Sequence, residues 1–179
     1  MRRDHGFTLL EMVLAMLIIG ILGTTAATAI GYGTRAAIET QTRVDTLSDL
    51  RMATERMARE IRLMRRDPAA PANYDVLSRN ETSLSFRRLD SNGSSPRTVT
   101  IDGSTAPVVT LTYDSPAVTP APVLVDRVAD FDLRYLEADG VTETGGNDDL
   151  AFVEISLSIL DDFGNVFAQR SRVALRNRQ

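Results

Sequence analysis

The 179 residues suffice for one domain and little more, and 24 acidic residues against 20 basic ones give a formal net charge of −4. Cysteine is absent, every basic residue is arginine and the single histidine is His5, which excludes disulfides, thiolate metal centres, lysine Schiff bases and a P-loop lysine. Eight arginines against five acids make residues 31–66 +3, while ten arginines against seventeen acids make residues 67–179 −7, a balance that disfavours non-specific nucleic-acid binding and, with so few catalytic residue types, favours a structural or binding role.

Residues 7–30 read FTLLEMVLAMLIIGILGTTAATAI, with Glu11 the only charge. As a helix this run measures about 36 Å, enough to cross a hydrocarbon core of roughly 30 Å with some tilt. Arg2 and Arg3 precede it, which suits a cytoplasmic N-terminus, although Arg35 and Arg43 beyond the run weaken that orientation signal. A secretory signal peptide cut at Ala27-Thr28-Ala29 is one reading. Its apolar run, however, exceeds the usual length of about 7–15 residues and carries a carboxylate near its start. A plain membrane anchor leaves Glu11 unexplained, because a carboxylate in mid-membrane costs about 2–3 kcal/mol or more.

Gly6-Phe7-Thr8-Leu9-Leu10-Glu11, behind a short basic leader and ahead of an apolar helix, resembles the class III signal of type IV pilins and pseudopilins. The resemblance implies that a prepilin peptidase cuts between Gly6 and Phe7, that the new amine of Phe7 is methylated, and that Glu11 is the assembly glutamate. It covers residues 2–30 closely and extends loosely to about residue 66. Many major pilins carry a proline near the end of the membrane segment, whereas the first proline here is Pro68. Gly20 and Gly23 offer either a local loosening, at about 1 kcal/mol per glycine relative to alanine, or close helix packing. Gly31-Tyr32-Gly33 reads as membrane-interface chemistry in preference to a flexible joint.

Residues 34–66 contain neither glycine nor proline. Val44, Leu47, Leu50, Thr54, Met57, Ile61 and Met64 recur at spacings of three and four, predicting one apolar stripe packed on a following sheet, with a coiled-coil seam as the alternative. Arg51, Glu55 and Arg59, and Arg56 with Glu60, are i,i+4 neighbours expected on more exposed faces. Asp67-Pro68 is the expected helix end, so residues 7–66 as one helix would measure about 90 Å.

From residue 67 onward the pattern changes to short alternating runs: Leu84 and Phe86; Val109, Leu111 and Tyr113; Phe131, Leu133 and Tyr135; Val153, Ile155, Leu157 and Ile159; and Phe167, Val173 and Leu175. Breaks fall at Asp90-Ser91-Asn92-Gly93, in the proline-rich stretch 115–122, in the glycine and acid loop 139–149, and at Asp162-Phe163-Gly164-Asn165, which predicts a hairpin joining the last two strands. One apolar face per strand predicts a half-buried antiparallel sheet covered by the helix stripe, an α+β fold. The expected organisation is a leader at 1–6, a membrane or filament-core helix at 7–30, an amphipathic helix at 31–66 and a β-rich outer domain at 67–179, with 31–179 forming one globular unit.

Asp148, Asp149, Asp161 and Asp162 suggest calcium ligands, but no dense D-x-D-x-D-G loop accompanies them, so neither a metal nor any other cofactor is expected. Arg170, Arg172, Arg176 and Arg178 suggest a partner patch or, in preference, a strand edge blunted by charge. No spacing identifies a carboxylate pair for glycoside chemistry, and no enzymatic activity is expected. The arginine-rich run Arg56-Met57-Ala58-Arg59-Glu60-Ile61-Arg62 loosely resembles the helix of J-type minor pseudopilins and their pilus-biogenesis relatives, and with cysteine absent the resemblance implies a minor subunit of that kind. It would sit in the bacterial inner membrane with its C-terminal domain outside the cytoplasm. Its partners would be other pilin-like subunits, the prepilin peptidase and the assembly platform. The alternatives are a tip adhesin or DNA-uptake module, a membrane-tethered envelope enzyme, and a secreted domain released by a signal peptidase.

Overall fold

The computed structural model describes residues 8–89, 96–116 and 118–175. The expected break at 90–93 and the arginines Arg176 and Arg178 therefore lie outside the described residues. The chain forms two compact units, Met1–Arg43 and Val44–Gln179. The boundary lies inside the helix, so residues 31–43 belong with the N-terminal unit and not with the outer one.

A single helix, α1, runs from Leu9 to Arg62. It passes Gly20, Gly23, Gly31 and Gly33 without a break, so neither glycine pair forms a joint in the structure. The threonines of the apolar segment satisfy their hydroxyls inside the helix: Thr24 donates to the Ile21 carbonyl at 2.9 Å and Thr25 to the Leu22 carbonyl at 2.9 Å. Thr28 donates to the carbonyls of Thr24 and Thr25. A hydroxyl paired in this way carries no unmet hydrogen bond into an apolar medium.

The outer half of α1 buries a stripe that differs from the expected one. Leu50, Thr54, Met57, Ile61 and Met64 are buried, but Val44 is 55% exposed and Leu47 46% exposed. Thr46, Ala53 and Ala58 take up the buried face instead. Small side chains let the helix backbone approach the sheets, and hydrophobicity ranking passes over them. The helix also ends four residues short of the predicted 66. The amides of Leu63 and Met64 donate to the carbonyls of Glu60 and Ile61, a tightened last turn, and Met64 then forms a β-bridge with Arg88. Capture of this backbone by a strand ends the helix ahead of Pro68.

The expected single sheet is two. The five-stranded one is an antiparallel meander of β1 (Val76–Arg79), β2 (Ser83–Leu89), β3 (Pro96–Asp102), β4 (Val109–Tyr113) and β5 (Val123–Val125). The three-stranded one contains β6 (Val128–Leu136), β7 (Phe152–Leu160) and β8 (Val166–Ala174). Strands β2, β4, β6, β7 and β8 carry the alternating runs read from the sequence, and β1, β3 and β5 are additional. Leu84, Phe86, Val99, Ile101, Leu133, Val153, Ile155 and Leu157 join Leu50, Met57 and Ile61 in one buried cluster. Burial of such side chains stabilises by about 1.5–3 kcal/mol each, which makes this cluster the main support of the outer unit. Backbone bonds stitch the two sheets together: Leu133 N–H donates to the Glu81 carbonyl at 2.7 Å and Val128 N–H to the Pro107 carbonyl at 2.8 Å. Gly103 lies so close to the Phe131 ring that an added Cβ would sit 2.3 Å from Cδ1.

The last hairpin forms where predicted. Asp161 Oδ1 accepts the amides of Phe163 and Asn165, and Gly164 adopts a φ of 82° that the turn requires.

Candidate processing and assembly site

The processing residues Gly6 and Phe7 lie outside the described residues, and the structure begins its account at Thr8. Thr8 precedes α1, and its Oγ1 accepts the Glu11 amide at 3.3 Å while its carbonyl accepts the Met12 amide at 3.2 Å. This is an N-cap, with Glu11 at the third helical position. The Thr8-x-x-Glu11 spacing is that of a capping box, a signal present in the sequence that the motif reading passes over. Glu11 thus has two physical roles open to it. Its charge favours the positive end of the helix dipole, by about 0.3–1 kcal/mol. Its carboxylate also stands in the first turn of a segment where every large apolar side chain from Leu9 to Leu22 is solvent-facing.

That segment is long and apolar enough to cross a membrane, with a mean hydropathy of 2.2 over its best 18-residue window and none of that window buried by the rest of the chain. A core helix of a soluble protein would be covered. Residues 1–27 match the family model of the prokaryotic N-terminal methylation motif. The matched stretch is a type IV pilin-like prepilin signal, and it contains Gly6, Phe7 and Glu11. The motif and the apolar helix together fit anchoring in an inner membrane. No curated protein matches the chain.

Elsewhere, charged side chains do structural work. Glu60, expected on an exposed face, is only 2% exposed. Its carboxylate pairs with Arg88 of β2, accepts the Tyr113 hydroxyl of β4 at 2.8 Å and lies 3.6 Å from Arg56 Nε. The guanidinium of Arg56 in turn donates to the Tyr113 oxygen at 2.7 Å. Burial, and then the hydrogen bond to Glu60, push the Tyr113 hydroxyl above the usual phenolic range. A buried carboxylate needs such partners, and these fasten the helix to two strands. Arg51, Glu55 and Arg59 do remain on an exposed face, where no ion pair joins them.

Two of the four acids weighed as calcium ligands are used otherwise. Asp161 caps its own turn, and Asp162 accepts Arg127 Nη1 at 2.9 Å. Among the described residues no three ligand-type side chains converge on one point. In the C-terminal arginine patch, Arg172 Nη2 donates to Glu154 Oε2 at 2.9 Å, with Arg134 Nη1 and Arg170 Nε at 3.7 and 3.8 Å from Oε1. Glu154 sits in the middle strand of its sheet and is 2% exposed, so it is shared by arginines from both neighbouring strands.

Proposed function

We propose that this chain is a minor pilin-like, pseudopilin-type subunit of a type II secretion or type IV pilus machine. The observation that supports this most is the methylation motif at residues 1–27 joined to a helix long and apolar enough to cross a membrane. Prepilin peptidase would cut between Gly6 and Phe7 and methylate the Phe7 amine. The mature helix would then be held in the inner membrane with the outer unit outside the cytoplasm. Its partners would be other pilin-like subunits and the assembly platform.

Glu11 would act in assembly. Cleavage leaves an amine on Phe7, about one helical turn from Glu11, and an α-amine with a reference pKa of about 8 is largely cationic at neutral pH. Among packed apolar helices an unpaired charge is expensive and a pair is tolerated. A subunit displaced along the filament axis can present its amine to this carboxylate, so that the pair sets axial register. The work of the protein is then mechanical, in keeping with the absence of cysteine and lysine and the isolation of the single histidine before the cut.

N-terminal mass spectrometry of the native protein tests the processing step. The expected mature chain starts at methylated Phe7; a chain starting at Ile30 would establish a secreted domain instead.

A further inference from the structure

Two sheets have four edges, and three are closed. Strand β1 is four residues long with an irregular register between Val76 and Ser78. Strand β5 is three residues long and follows Pro116, Pro120 and Pro122. The outer edge of β6 is taken up: Leu133 N–H donates to Glu81 and the Tyr135 carbonyl accepts Thr144 N–H at 2.9 Å. Short length, proline, bulges and covering segments are the ordinary devices that stop a sheet from adding strands.

Among the described residues strand β8 has none of these, and the one blunting device it carries is the charge of Arg170 and Arg172. Its nine residues pair with β7 without a register shift, and among the described residues its other edge makes no backbone hydrogen bond. On the face it shares with buried Val173, the side chains of Phe167, Gln169 and Ser171 are half-buried. On the opposite face Ala168, Arg170 and Arg172 are exposed, and these two arginines are the only charges on the strand.

We infer that the free edge of β8 is a docking surface for an extended segment of a different protein, one that adds as a strand and carries carboxylates at alternate positions opposite Arg170 and Arg172. Backbone pairing supplies the affinity and the alternating side chains supply the selection. A second copy of this chain does not fit. Two β8 strands side by side set arginine rows against each other, and opposed like charges destabilise. The chain's own strand with alternating acids, Asp130 and Asp132 on β6, has its edge occupied. Arg170 is the more available cation, being 69% exposed and 3.8 Å from Glu154, whereas Arg172 is held by a direct hydrogen bond. The inference goes beyond filament assembly and needs neither α1 nor Glu11.

The test uses the full chain in detergent micelles and three labelled peptides: acetyl-Thr-Val-Glu-Val-Glu-Val-Thr-amide, its Lys-for-Glu counterpart, and the Glu peptide N-methylated at alternate residues. Fluorescence anisotropy reads binding and hydrogen exchange reads the β8 amides. The Glu peptide is expected to bind and to slow exchange across residues 166–174. The Lys peptide should bind about tenfold more weakly and the N-methylated peptide not measurably. Arg170→Glu should reverse the preference between the Glu and Lys peptides. Failure of the Glu peptide to bind, binding without slowed β8 exchange, or equal binding of all three peptides overturns the inference.

Discussion

Every large apolar side chain between Leu9 and Leu22 faces solvent, whereas in the outer unit the apolar faces of both sheets and of α1 beyond Val44 meet in one buried cluster. The first region has secondary structure without tertiary structure of its own. Its helix is complete in hydrogen bonds, down to the threonine hydroxyls, and incomplete in packing. The outer unit is complete in both. An element with satisfied backbone and unsatisfied apolar surface is built for lipid or for other helices, and one with a closed core can be displayed to partners without help. The contrast predicts that substitutions in the two regions separate cleanly into effects on assembly and effects on folding.

The largest expected effect is on assembly. Glu11→Leu should abolish co-purification with partner subunits, while the protein is still cleaved and inserted and its outer unit melts like the parent. Normal incorporation of this variant into the filament complex would sink the register role. Glu11→Gln sharpens the test, because glutamine preserves the capping-box pattern and removes the charge. If the Glu11→Gln variant assembled as well as the parent, the cap and not the ion pair would be the function of this position.

Next in size is the buried stripe. Leu50 is 1% exposed, so Leu50→Asp buries an unpaired charge and should cost about 3–5 kcal/mol in thermal or denaturant unfolding. Val44→Asp and Leu47→Asp, on the exposed side of the same helix, should stay within about 0.5 kcal/mol of the parent. Equal losses at all three positions would restore the stripe read from hydrophobic spacing. Glu60→Ala should cost about 2–4 kcal/mol, since it removes the buried carboxylate that pairs with Arg88 and accepts the Tyr113 hydroxyl. An unchanged melting temperature would show that this network contributes nothing net.

The two regions were legible to different degrees. In the N-terminal region, residue identity carries the signal: Gly6, Phe7 and Glu11 at fixed spacing, a basic leader and an unbroken apolar run. The Thr8 cap was equally readable from its spacing to Glu11. In the outer unit only periodicity was available, and it works where a strand is long enough to show it. Strand β3, with Val99 and Ile101 alternating with Thr98, Thr100 and Asp102, had a readable alternation. Strands β1 and β5 are too short to show a period. The split into two sheets is invisible in the sequence, because alternation says which face of a strand is apolar and not which strand lies beside it. Glu60 was misplaced for a similar reason: its i,i+4 arginine is local, whereas Arg88 and Tyr113, which make its burial possible, are distant in sequence.

A smaller effect should come from the seam between the sheets. Gly103→Ala would drive a methyl group into the Phe131 ring, which is itself buried and hemmed in, so overpacking should cost about 1–3 kcal/mol. Pairing it with Phe131→Leu, which clears the space, should return part of that loss in a double-mutant cycle. Additive losses would mean that the two sites do not press on each other.

The smallest expected effect is a gain. Asp132 lies on the outer face of β6, and its carboxyl is held above the ordinary aspartate range by partial burial first and then by the neighbouring charges of Glu81 and Asp130, with Arg134 opposing. The folded state therefore keeps this proton to a higher pH than the unfolded chain does. A carboxyl shifted upward contributes most favourably below its unfolded pKa of about 3.9, and that contribution is lost as pH rises through the folded value. At neutral pH the ionised side chain is then a small liability to the outer unit, held in check by solvent screening. Asp132→Asn should raise stability at pH 7 by about 0.5 kcal/mol, and the advantage should shrink toward zero as the pH approaches 3.5. Chemical denaturation of parent and variant at the two pH values reads the difference directly. A variant equally stabilised at both would locate the effect in packing; one destabilised at pH 7 would mean that Arg134 outweighs the two carboxylates and that the repulsion described here is not the governing term.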